Sequence, residues 1–187
     1  MPHTGGAAAG KSEPDSRHLG VKMKIAVLSD IHDNIWNLEQ LLPTLKDTSV
    51  LIFCGDLCAP FTLEMLASGF PGPVHATFGN NDGDIFLLHR TAARHSNVTL
   101  AAPFGEVEVE GQRLAFVHYP QFGEGLAALG HYDAVFIGHS HQPEVRTVGR
   151  TLLANPGEVM GRFGEPGYGI YDTAARVFIR HRLENRR

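Results

Sequence analysis

Apolar and polar positions divide this chain into two halves with different rhythms. After a polar start, Ile25-Ala26-Val27-Leu28 is an unbroken apolar run, the pattern of a strand buried on both faces. The spacing then shifts. Ile35, Leu38, Leu41, Leu42 and Leu45 fall on one side of a helix that Asn34 can cap, and Pro43 should kink or divide it. Val50-Leu51-Ile52-Phe53 predicts a second buried strand. A helix around Phe61 to Ser68, a Pro-Gly-Pro turn and a strand from Val74 to Phe78 repeat the unit, and another helix is predicted from Asp84 to Arg94. Alternating elements of this kind predict parallel strands joined by right-handed crossovers.

The second half alternates with period two. Glu106-Val107-Glu108-Val109-Glu110, then Gly111-Gln112, then Arg113-Leu114-Ala115-Phe116-Val117 predict a hairpin with one solvated face. Ala134-Val135-Phe136-Ile137 reads as one more buried strand. Val145 to Val148, Thr151 to Leu153, Tyr168 to Asp172 and Arg176 to His181 predict shorter, antiparallel strands. The simplest architecture is an α/β fold of two packed sheets with helices outside. Residues 1–22 mix Gly, Ala, Ser, Pro and charge without a hydrophobic block and read as a flexible arm, leaving 23–187 as a single domain.

Composition narrows the function. A chain of 187 residues with 43% hydrophobic positions can bury a core. Its formal net charge of −4, from 16 basic and 20 acidic residues, argues against a surface that coats nucleic acid or membrane. No apolar run approaches the roughly 20 residues that span a bilayer, and the start of the chain lacks the apolar region of a secretory signal. Asn97-Val98-Thr99 matches a glycosylation acceptor, but without secretion the match reads as chance. The two cysteines, Cys54 and Cys58, make no disulfide framework and suit a reducing compartment, so a cytoplasmic location is expected. Cys54 reads as a small buried hydrophobe.

Candidate chemistry collects at strand ends. Asp30 and His32 follow the first strand, Asp56 the second and Asn80 the third, each one strand-helix unit apart. Equivalent residues of successive parallel units lie side by side at the carboxyl edge, where open α/β sheets bind ligands. His118 ends the hairpin, and Gly138-His139-Ser140-His141 follows the strand before it. Asp-x-His or Gly-Asp alone would read as a turn. Seven metal-capable side chains in order at five strand ends would be costly to bury without a compensating cation.

Asp30-x-His32, Gly55-Asp56, Gly79-Asn80-Asn81-Asp82, His118 and Gly138-His139-Ser140-His141 resemble the ordered motifs of the calcineurin-like metallophosphoesterases. Asn155-Pro156-Gly157 and the short length resemble their compact bacterial and archaeal phosphodiesterase branch. The resemblance runs from about Lys24 to Ile179. It implies a four-layer α/β/β/α sandwich with two mixed sheets, and two metals at the sheet edge. Asp30, His32, Asp56 and His141 would hold one metal; Asp56 would bridge to a second held by Asn80, His118 and His139. Imidazole and carboxylate without thiolate favour manganese first, with nickel, zinc or iron as alternatives, over magnesium or calcium. Two divalent ions offset by Asp30, Asp56 and one hydroxide leave one positive charge for a phosphodiester anion. The implied reaction is attack by a metal-bound hydroxide without a covalent enzyme intermediate.

Two positions depart from the family pattern. Asn81 stands where many relatives carry a histidine; it can donate a hydrogen bond to a phosphate oxygen but cannot protonate a leaving alkoxide. Tyr119-Pro120 follows His118 where glycine is usual, so Tyr119 is a candidate substrate contact. Arg162, in the Gly161–Gly167 loop, could clamp phosphate, and Asp33 and Asp82 could orient ligands or cap turns. His3, His18, His75, His89, His95, His131 and His181 are read as ordinary. The expected partner is a small phosphoester, with homo-oligomerisation open. Phosphomonoesterase and nucleotide pyrophosphatase are the alternative activities. The contrasting class is a protein-binding scaffold of the retromer-subunit type, which Gly55-Asp56-Leu57-Cys58 resembles; a metal-dependent regulator is a third.

Overall fold

The computed structural model describes residues 23–186; the proposed arm, with His3 and His18, lies outside the described residues. Three separate apolar clusters define the layering. In the first, Ala26, Leu28, Leu51, Phe53, Val74 and Ala76 meet helical Leu38, Leu41, Leu63, Leu66 and Leu88. In the second, Ile25, Val27, Ile52 and Cys54, from the other face of the same strands, meet Leu114, Phe116, Ala134, Phe136 and Ala154. In the third, Ala115, Val117, Val135, Ile137 and Leu153 meet Ala127. Three cores between successive layers make the expected α/β/β/α sandwich of two mixed sheets.

The first sheet holds β1 (Lys24–Leu28), β2 (Val50–Phe53), β3 (Val74–Thr77) and β4 (Val98–Ala101) in parallel, with β10 (Gly167–Asp172) antiparallel to β1 and β11 (Val177–Arg182) outside it. Helices α1 (Ile35–Leu41), α2 (Pro60–Gly69) and α3 (Ile85–Ala92) connect its parallel strands. Asn34 caps α1 by accepting from the Asn37 backbone N–H, and Pro43 sits in a 3₁₀ turn, Leu42–Leu45, that divides the predicted helix. The second sheet runs β5 (Gly105–Val109), β6 (Gln112–Phe116), β7 (Ala134–Phe136), β9 (Thr151–Asn155) and β8 (Glu144–Val148).

The hydrophobic pattern missed two elements and misjudged two others. It predicts nothing over 120–128, where α4 (Pro120–Ala128) forms. Two glycines lower helix propensity there, yet Pro120 stands in the first turn, where a missing N–H costs nothing. It also predicts no β4, a short, half-exposed edge strand. Asn97, read there only as a chance glycosylation match, donates from Nδ2 to the carbonyls of Ala67 and Phe70. The hairpin does not keep a fully solvated face, because α4 covers Ala115 on β6 and Val117 just beyond it. And β9, expected to be antiparallel, pairs in parallel with β7 and antiparallel only with β8.

Close approach of α4 to the sheet depends on Gly123, where a Cβ would lie 2.2 Å from Ile137 Cγ2. Helix propensity alone favours Gly123→Ala by about 1 kcal/mol, but overpacking costs about 1–3 kcal/mol. Urea unfolding is therefore expected to show Gly123→Ala as destabilised; a stabilised variant would contradict this packing.

Candidate metal centre

The loops that leave the parallel strands are tied together by their backbones. Asp30 N–H donates to Gly55 O at 3.0 Å, Ile31 and His32 both donate to Asp56 O, and Met160 donates to Asp30 O at 3.0 Å. Gly138 N–H donates to His118 O at 3.0 Å in the second sheet. The turns are tight enough that Asp30, His32, Asp56, His139 and His141 all take positive φ, a region that Asp and His tolerate better than most residues but at a cost. Two glycines make room: a Cβ at Gly79 would lie 2.1 Å from Asp56 Oδ1, and one at Gly138 would lie 2.0 Å from Ser29 Oγ.

All seven side chains singled out in the sequence arrive at this edge. Asp30, Asp56 and His118 form its buried floor. Asn80 and His139 stand exposed above it, with His32 and His141 between. His32 Nε2 lies 3.6 Å from Asp30 Oδ1 and 3.4 Å from Asp56 Oδ2. His141 Nε2 lies 3.4 Å from Asp30 Oδ1, and His118 Nε2 3.4 Å from Asp56 Oδ2. Asn80 Oδ1 and His139 Nδ1 approach His118 Nε2 at 3.0 and 3.2 Å. Asp30, His32 and His141 bring ligand atoms within one cation's reach, as do Asp30, Asp56 and His118.

Two of these atoms test whether a cation fits. Asp30 Oδ1 and His32 Nε2 are buried without any hydrogen-bond partner. A buried acceptor oxygen and an imidazole nitrogen left unpaired would each cost about 1–3 kcal/mol; facing one another, they suit a divalent ion. The imidazoles are oriented for it from behind. His118 Nδ1 donates to Cys54 O at 2.8 Å, which turns the Nε2 lone pair towards Asp56. Cys58 Sγ lies 3.6 Å from His32 Nδ1, and burial, with the surrounding carboxylates led by Asp33, pushes its thiol up to about 12, so it stays neutral.

Glu158 is the residue that the sequence motifs missed. Fully buried, its Oε2 accepts from His141 Nδ1 at 2.6 Å, while Oε1 accepts the backbone N–H groups of Phe163 and Gly164, both at 2.7 Å. One carboxylate thus sets the tautomer of His141 and pins the 158–164 loop beneath it. The only signal was an acid placed immediately after Asn155-Pro156-Gly157. Asn155 itself donates to Gly138 O and Ser140 Oγ, holding the histidine loop.

The remaining candidates take definite places. Asp82 accepts the N–H groups of Asp56, Cys58 and Gly79, and Asp33 accepts from Ala59 N and Thr62 Oγ1, so both organise loops. Asn81, expected to face a substrate oxygen, instead donates its backbone N–H and its Nδ2 to Asp56, at 2.7 and 2.8 Å. The Tyr119 ring lies 4.9 Å from His139 and 5.2 Å from His118. Arg162 is exposed over Phe163, whose ring meets His141 edge-on at 5.0 Å.

Comparison with known proteins agrees with this geometry. The calcineurin-like phosphoesterase superfamily domain matches residues 23–176. The chain belongs to that superfamily. Among calcineurin-like phosphoesterases it is 30% identical to phosphodiesterase MJ0936 of Methanocaldococcus jannaschii over 161 residues, covering 83% of this chain and 96% of the relative. It is also 30% identical to phosphodiesterase YfcE of Escherichia coli K12 over 170 residues, covering 81% and 88%. A solved archaeal phosphodiesterase superposes with a TM-score of 0.79 at 28% identity over 86% of this chain and all of the other. Vacuolar protein sorting 29 of Cryptosporidium parvum, at 17% identity over 88% and 93% of the two chains, shares the fold with a TM-score of 0.65. The chain is therefore a metal-dependent hydrolase acting on phosphoesters. No helix of the described residues is long and apolar enough to cross a membrane.

Without a cation, protonated imidazoles would offset the carboxylates they face. Burial opposes protonation of His32 and His118, but Asp30 and Asp56 beside them win and raise both imidazoles above their ordinary value. Burial likewise opposes ionisation of Asp56, yet His118 and Asn81 hold its carboxyl well below the usual carboxylate range. In chelated protein the stability contributed by the two histidines is present below about pH 6.5 and lost as pH rises through their raised values. Cation binding needs neutral imidazoles and strengthens over the same window. Thermal unfolding with and without manganese should thus diverge from pH 6 to pH 8; parallel curves would contradict it. Glu158→Gln should weaken metal binding by about 10–100-fold in calorimetric titration, whereas unchanged affinity would leave Glu158 a loop anchor only.

Proposed function

We propose that the chain is a dinuclear phosphodiesterase that works with manganese, replaceable by nickel, zinc or iron. The observation that carries this reading is a single buried oxygen, Asp56 Oδ2, lying 3.4 Å from His32 Nε2 and 3.4 Å from His118 Nε2. A carboxylate between imidazoles of two half-sites suits a bridge. Asp30, His32, Asp56 and His141 would hold one ion, and Asp56, Asn80, His118 and His139 the other. When bound, the pair would ionise a water and draw charge from the phosphoryl oxygens.

The chain's own residues do the rest. Asp56 is held from one side by Asn81, which fixes the bridging oxygen rather than the substrate. With Glu158 added to Asp30 and Asp56, two divalent ions keep one positive charge before an ionised water is counted. Among the described residues no Lys or Arg is paired with the ligand side chains. Both points favour the monoanion of a diester over a monoester dianion or a pyrophosphate. Substrate would enter over the exposed Asn80 and His139, between Tyr119 on one wall and Arg162 with Phe163 on the other. With Asn81 unable to protonate a leaving alkoxide, a general-acid contribution of about 10²–10⁴-fold is absent, so esters with acidic leaving groups should react best. Free Cys54 and Cys58 support placing the protein in the cytoplasm.

Metal analysis and hydrolysis of bis(p-nitrophenyl) phosphate test the reading together. Wild type should bind two ions per chain and turn over; Asp56→Asn should lose bound metal and about 10²–10³-fold of the rate, the scale of one preorganised electrostatic group. Full occupancy with no turnover on any phosphoester would favour the scaffold reading instead.

A further inference from the structure

The chain leaves the metal-capable edge through His118 and Tyr119 and enters α4, beside which lies a cleft of about 390 Å³. Its walls are Pro103, Phe104, Val117, Phe122, Leu126 and Leu129, with Gln121 and Gly125 on the helical side. No lining residue is charged, and Gln121 alone has a polar side chain. The volume lies within the roughly 300–1,000 Å³ of small-molecule sites.

Two observations connect the cleft to the metal-capable edge, although Val117 in its floor faces α4 while its neighbour His118 faces the first sheet. Gly105 pairs with Phe116 in the β5–β6 ladder, so Phe104 and Pro103 run on alongside the end of β6 towards the same edge. The rings also form a continuous path: His139 to Tyr119 at 4.9 Å, then Tyr119 to Phe122 at 5.7 Å. Phe122 and Leu129 are each 58% exposed, so these two walls leave apolar surface open to solvent.

The two interior glycines of α4 differ in a telling way. Gly123 is small because Ile137 presses against it, whereas a Cβ at Gly125 would meet nothing within 4 Å. Gly125 gives up about 1 kcal/mol of helix propensity relative to alanine with no packing return. Gly125 lines the cleft, so a larger side chain there would enter open space.

We propose that this cleft seats one apolar, uncharged ester arm of the phosphodiester whose phosphate lies over the metal centre, a substrate class that rests on the phosphodiesterase reading. An aryl or alkyl arm fits the lining. A sugar or nucleoside arm does not, since its hydroxyls would be desolvated against carbon with only Gln121 to answer them.

The test uses metal-loaded full-length protein and p-nitrophenyl phosphodiesters that share a leaving group and differ in the second arm: methyl, butyl, hexyl, phenyl and thymidine-5′. The kcat/KM should rise by up to about fourfold per buried methylene from methyl to hexyl. Phenyl against hexyl tells an aryl from an alkyl preference, and thymidine should do no better than methyl. Gly125→Leu, which fills the cleft, and Phe122→Ala, which removes a wall, should each lower the hexyl-to-methyl ratio at least about tenfold. Gly125→Leu should keep or raise the melting temperature, which separates a filled cleft from a damaged fold.

Equal rates across all arms, with turnover intact, would overturn the cleft and leave the phosphodiesterase reading standing. If no arm is hydrolysed, that reading falls, and calorimetry with the inert dimethyl and dibutyl phosphates decides the cleft separately. Tighter dibutyl binding that Gly125→Leu abolishes would support it, and equal binding would overturn it. A dimer in sedimentation that Gly125→Leu breaks, together with flat arm dependence, would make the cleft a subunit contact and also overturn the proposal.

Discussion

Two carboxylates, Asp30 and Asp56, are buried side by side where neighbouring parallel strands end, and the surrounding structure is arranged around that cost. Removing an ionised carboxylate from water is expensive unless hydrogen bonds, opposite charge or a cation compensate. Asp56 is answered by Asn81 and His118, and Asp30 Oδ2 by the N–H of His139. Asp30 Oδ1 is answered by no hydrogen bond. The left-handed turns and the glycines at 79 and 138 follow from this crowding, because only tight turns bring the imidazoles over both acids.

Most of this edge was legible because each motif directly follows an apolar strand. Asp30-x-His32, Asp56, Asn80, His118 and Gly138-His139-Ser140-His141 all occupy the residues where β1, β2, β3, β6 and β7 give way to loops. Once parallel pairing is granted, their convergence follows from topology. Glu158 was not legible: an acid after a Pro-Gly turn looks like any exposed turn residue, and its burial depends on His141 and the 163–164 backbone folding over it. The aim of Asn81 was hidden for the same reason, since Asp56 meets it only across two strand ends. β4 and α4 escaped notice because one is a half-exposed edge and the other is built with two glycines, so local pattern and propensity both pointed to loop.

The relatives share the fold, and in this chain two walls flank the metal-capable edge. Tyr119 and α4 stand on the second sheet's side of the site, and Phe163 and Arg162 on the far side of His141. Among the described residues, neither wall pairs a basic group with the metal-capable side chains. Selectivity among phosphoesters would therefore come from shape and apolar contact around a phosphate held from below, with little contribution from salt links to it.

The hydrogen bond from His118 to the Cys54 carbonyl joins the end of β6 to the end of β2, one strand from each sheet. The side chains at the edge are divided in the same way: Asp30, His32, Asp56 and Asn80 come from the first sheet, His118, His139, His141 and Glu158 from the second. An ion gripped by both sets would act as a cross-link between the two halves of the chain, closing long loops as a disulfide does and restricting the unfolded ensemble. Slippage of one sheet across the other would then open the ligand cage, so the rigidity of the sandwich and the grip on the cation would rise and fall together.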